Sequence, residues 1–133
     1  MTRRVRRIIF AVYALALFIG THIPNLHVRV PTIDRPDLLI HMAAFGGWFS
    51  LLLAAEVLGP WRSFRSIALC FLIAICGAAV DEYSQSLPVL RRTAAWDDFA
   101  ANTMGIVLAA ILAAVAAKLF KPSRTAPRTT PAA

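Results

Sequence analysis

Four stretches of this chain are each long and apolar enough to cross a bilayer as a helix. A hydrocarbon core of about 30 Å needs about 20 helical residues. The stretches run roughly over Arg7–Pro24, Asp37–Leu58, Ser66–Leu87 and Asp97–Phe120. Pro24, Pro60 and Pro88 punctuate the joints between them. With 133 residues in all, almost nothing is left for a soluble domain. The sequence therefore predicts an all-α, four-helix transmembrane bundle over residues 1–120. The tail 121–133, KPSRTAPRTTPAA, is basic and rich in Pro, Thr and Ala, and is expected to be disordered.

The charge pattern fits the same reading. A net charge of +7 on a soluble fold would suggest nucleic acid. Here the bases flank apolar runs instead, so no nucleic-acid partner is expected. Of the 14 Lys and Arg, ten fall on one side of the four spans. These are four before the first span, two in the 59–66 joint and four from Lys118 onward. Arg29, Arg35, Arg91 and Arg92 fall on the other. The positive-inside rule then puts both termini in the cytoplasm. The basic, apolar N-terminus lacks a small-x-small cleavage site, so it reads as a retained first helix. Cys70 and Cys76 lie about 120° apart on a helix and read as inert thiols.

With that orientation, the outer ends of three spans carry polar residues. Asp37 and His41 open the second, Asp81, Glu82 and Gln85 close the third, and Asp98 and Asn102 open the fourth. Asp37/His41, Asp81/Gln85 and Asp98/Asn102 are each four apart, hence on one helix face. Gly77, Gly105 and Ala109 fall near these faces, where small residues let helices approach closely. Ionisable residues inside spans mark function by default. Asp97 can simply favour the helix dipole. Glu56, at the other end of the second span, is expected to snorkel or pair with Arg62. His22 and His27 read as interface residues. Trp48, Trp61, Trp96, Tyr13 and Tyr83 read as packing or belt aromatics. Gly59, in a joint, is expected to tolerate a larger residue better than Gly105.

The residues "DLLIHMAAF" (Asp37, His41, Ala44, Phe45), then Asp81, Glu82, Gln85, Pro88 and Arg92, then Asp98, Asn102 and Gly105, resemble the VanZ-like family of small multi-pass membrane proteins. The match in order and spacing spans residues 37 to about 105; Arg91 stands where the family often has Gly. The resemblance implies a bacterial cytoplasmic-membrane protein of the cell envelope, with a role like that in glycopeptide-antibiotic resistance. It supplies no reaction, because a fold does not fix a chemistry.

Two functions remain open. In the first, the outer polar residues bind or process a phosphorylated lipid head group or cell-envelope precursor. His41, Asp37, Asp81 and Glu82 would then be catalytic, with His41 as acid or base paired to Asp37. Arg92, Gln85 and Asn102 would bind substrate, Arg92 by a bidentate grip on phosphate. Asp81, Glu82 and Asp98 offer hard oxygen ligands for Mg²⁺, Mn²⁺ or Ca²⁺. In the second, the protein is not an enzyme, and the same residues form an interhelical network or engage a partner. No complete catalytic motif decides between them.

Overall fold

A computed structural model describes residues 1–23, 34–86 and 96–120. Its elements are α1 (Arg3–His22), α2 (Pro36–Ala54), α3 (Phe64–Gln85) and α4 (Trp96–Leu119). All four helices are long and apolar enough to cross a membrane, so the chain is a multi-pass membrane protein. The tail 121–133 lies outside the described residues.

The helices start and stop where local chemistry dictates. α1 begins four residues earlier than apolarity suggests, because the Thr2 side chain caps it by accepting the Val5 N–H. The arginines of its first turns are therefore helical. Pro36 opens α2, where its missing N–H costs nothing. α2 ends at Ala54 rather than near Leu58, because the chain turns through Glu56 (φ 50°) and Gly59 (φ 127°). Gly59 is thus a strained place for any side chain. A β-carbon there would also stand 2.7 Å from Ser66 Oγ. That corrects the expected tolerance of the joint.

α2 is the centre of the bundle. It contributes Phe45, Phe49, Leu52 and Leu53 to the core, against Ile67, Cys70, Ala74 and Ala78 of α3 and Ile106 of α4. Neighbours in the chain run antiparallel. The start of α1 meets the end of α2 through Arg6 and Glu56, and Tyr13 Oη donates to the Ala44 carbonyl at 2.9 Å. α2 and α4 run parallel, with Gly46 and Gly105 in contact. A β-carbon on Gly46 would lie 3.0 Å from the Gly105 carbonyl oxygen, and one on Gly105 would strike the Met42 carbonyl. Lipid is as apolar as leucine, so helices associate through such close packing rather than through hydrophobic burial. For the same reason α1 can leave Ile8, Val12, Leu15 and Ile19 exposed. Trp48 packs over Gly77 of α3, while Tyr83 and Trp96 project outward.

Candidate functional site

The helix directions bring the end of α1, the start of α2, the end of α3 and the start of α4 to one end of the bundle. Polar side chains gather there in three groups.

The first joins α1 to α3. Asp81, buried on α3, accepts the Thr21 hydroxyl at 2.7 Å and the Gln85 amide at 2.8 Å. The i,i+4 spacing of Asp81 and Gln85 thus closes a hydrogen bond on one helix face. His22 Nδ1 stands 3.8 Å from the same carboxylate. It is 2.8 Å from the Phe18 carbonyl, and His22 Nε2 is 2.8 Å from Ser84 Oγ. A carbonyl only accepts, so Nδ1 carries a proton. The Ser84 hydroxyl lies 2.7 Å from the Asp81 backbone carbonyl, which links the ring to α3.

The second joins α2 to α4. His41 Nδ1 is 3.0 Å from Asn102 Oδ1, and His41 Nε2 is 3.8 Å from Asp98 Oδ2. Asn102 is fully buried. Its amide nitrogen and Asp98 Oδ1 have no hydrogen-bond partner among the described residues. An unmade bond at a buried polar atom costs about 1–3 kcal/mol, so these two atoms stand ready for a ligand or water.

The third is exposed. Arg35 bridges Asp37 at 3.1 Å and Asp97 at 2.7 Å, tying the starts of α2 and α4 together. Hydrogen bonds to those two carboxylates hold the Arg35 guanidinium above its ordinary pKa. Asp37 therefore faces Arg35, not His41, which corrects the expected Asp37–His41 pair. An Arg two residues away in water competes better than a His one turn down the helix.

Of the expected site residues, Asp81 and Gln85 come together, and so do His41, Asp98 and Asn102. Glu82 is buried on α3. Asp37 sits apart with Arg35. Arg91 and Arg92 lie outside the described residues. Among the described residues, no three of His, Cys, Asp and Glu are grouped so as to hold a metal ion. Thr21 and His22 were not expected in the site. Their position gave the signal: they close the first span and so reach the depth of Asp81.

The opposite end holds a different cluster. Glu56 pairs with Arg6 at 2.7 Å and Arg3 at 3.4 Å, and accepts the Trp61 N–H at 3.4 Å. Burial works against its ionisation. The Trp61 N–H and the two guanidiniums outweigh it and hold the carboxyl below its usual range. Arg62 instead lies over the Trp61 ring, 4.9 Å from its centroid. That corrects the expected Glu56–Arg62 pair. Between α2 and α4 runs a recess of about 670 Å³, with Gly46, Phe49, Ala109 and Ala113 along it and Arg6 and Trp61 among the residues that line it.

In comparisons with family models, curated proteins and solved structures, nothing matches this chain.

Proposed function

We propose that this protein binds, and can process, a phosphorylated lipid head group or cell-envelope precursor at the end of the bundle holding Asp81, His41 and Asn102. The observation that carries this is the Asn102 amide nitrogen, buried beside His41 and Asp98 with no hydrogen-bond partner among the described residues. A donor left open in such a place suits an anionic oxygen. His22 stands 3.8 Å from Asp81 and His41 3.8 Å from Asp98, and an imidazole so placed would serve as acid or base toward a bound head group. Arg92, six residues before Asp98 in the sequence, would add a planar fork for phosphate. The resemblance to the VanZ-like family and its place in glycopeptide resistance agree with an envelope substrate. The positive-inside count favours cytoplasmic termini, which would set the site at the outer face of a bacterial cytoplasmic membrane.

A second reading has its own support. The Thr21–Asp81 and His41–Asn102 bonds each cross between helices, as they would in a purely structural network. Such bonds contribute about 0.6 kcal/mol each on average in membranes. Complementation of an envelope or resistance phenotype separates the two readings, with membrane abundance measured in parallel. Asp81→Asn keeps hydrogen bonding but removes charge. Arg92→Lys keeps charge but removes the fork. The head-group reading expects both to lose function at normal abundance. Full function from both leaves the network.

A further inference from the structure

The recess between α2 and α4 lies along the bundle and includes residues from the basic end. Ala109 and Ala113 are too small to fill it, Gly46 and Gly105 line it where the two helices touch, and Phe49, fully buried, lies beneath. Its α2 side runs from Met42 to Ala54, about 18 Å at 1.5 Å per residue. That is close to the depth of one leaflet, half of a hydrocarbon core of about 30 Å. The walls are apolar, so water does not fill such a space. In a bilayer its occupant is hydrocarbon.

The basic end sets what that hydrocarbon carries. Arg6 lines the recess. Its Nε is buried with no hydrogen-bond partner among the described residues. One carboxylate, Glu56, serves both Arg6 and Arg3, so the group keeps a net positive charge. Trp61 lines the same end, with Arg62 over its ring. Trp belongs at the head-group level, and guanidinium forks match phosphate oxygens. We infer that the recess is a binding site for an anionic glycerophospholipid, with one acyl chain in the groove along the α2–α4 seam and the phosphate at Arg6 and Arg3. This site is separate from the polar site at the other end of the bundle.

The test is native mass spectrometry of the purified protein in neutral detergent with added phosphatidylglycerol or phosphatidylcholine. Wild type should retain phosphatidylglycerol about tenfold better, the scale of a charge-assisted hydrogen bond. Arg6→Gln should abolish that preference. Glu56→Gln frees the guanidiniums and should raise phosphatidylglycerol retention, a sign that mere loss of packing does not produce. Ser50→Phe, at an exposed position lining the recess, and Ala113→Phe should lower occupancy by both lipids. Arg4→Gln, on the same helix but not lining the recess, should change nothing. Equal losses from Arg4→Gln and Arg6→Gln would mean diffuse attraction to a basic surface and overturn the site. So would unchanged occupancy in both Phe variants, or retention that does not rise in Glu56→Gln.

Discussion

Gly105→Ala puts one methyl group where two helix backbones already touch. A β-carbon at Gly105 meets the Met42 carbonyl group, with the carbonyl carbon 2.7 Å away and the α-carbon 3.0 Å away. All of these are backbone atoms, so no side chain can swing aside and α2 must move away from α4. Overpacking costs about 1–3 kcal/mol, and a backbone clash belongs at the upper end. The same shift stretches the His41–Asn102 bond, one turn away on the Gly105 face, for about 0.6 kcal/mol more. Alanine returns about 1 kcal/mol of helix propensity. The net is about 2.5 kcal/mol, or close to a hundredfold in the folding equilibrium. Cys70 is 1 % exposed, so its reaction with a maleimide reports opening of the bundle. The experiment is a denaturing-detergent titration in a Cys76→Ser background, comparing Gly105→Ala with Gly20→Ala. Nothing lies within 4 Å of a β-carbon at Gly20, so that variant should be neutral or slightly stabilised. Coincident labelling curves for the two would refute the close α2–α4 packing.

Three further outcomes follow from the geometry. Thr21→Val removes the hydroxyl bonded to buried Asp81 and should cost about 1–2 kcal/mol in the same titration; no change would mean that α1 is not held to α3 by this bond. Glu56 has its folded pKa lowered, so its ion pairs stabilise the protein above the unfolded value of about 4.3 and lose that effect as pH falls through the folded value. Wild type should lose stability across that acid window while Glu56→Gln, less stable at neutral pH, changes less; parallel pH profiles would remove Glu56 from the account. A single cysteine at position 91, with Cys70 and Cys76 replaced, should react with a membrane-impermeant maleimide in intact cells, and protection until the membrane is opened would reverse the proposed orientation.

Much of the architecture was legible because lipid imposes a simple rule: apolar for about 20 residues, then polar. The ends of the helices were less so. α1 begins early through one Thr2 hydroxyl, and α2 stops early through a left-handed Glu56; neither shows in apolarity. The i,i+4 rule found the Asp81–Gln85 bond, because both residues share a helix. It misled at Asp37 and His41, because the partner of each lies off that helix face: Arg35, just before α2 begins, for one, and Asn102 and Asp98 of α4 for the other. Sequence proximity offers Glu56 either water or Arg62, whereas α1 folds back and delivers Arg6 and Arg3. Spacing within one helix reads faces; pairing across helices needs the bundle.

The central claim is that charge at the Asp81 end holds a phosphate-bearing lipid. It is tested most directly by identifying the lipid that co-purifies with the protein. The comparison should be made in a Ser50→Phe, Ala113→Phe background, which blocks the recess between α2 and α4. The account predicts that this recess-blocked protein still carries a phosphorylated lipid by native mass spectrometry, and that adding Asp81→Asn or Arg92→Lys removes it while the bundle stays folded by Cys70 protection. Equal retention of that lipid in all three proteins, or none in the recess-blocked protein, would contradict it.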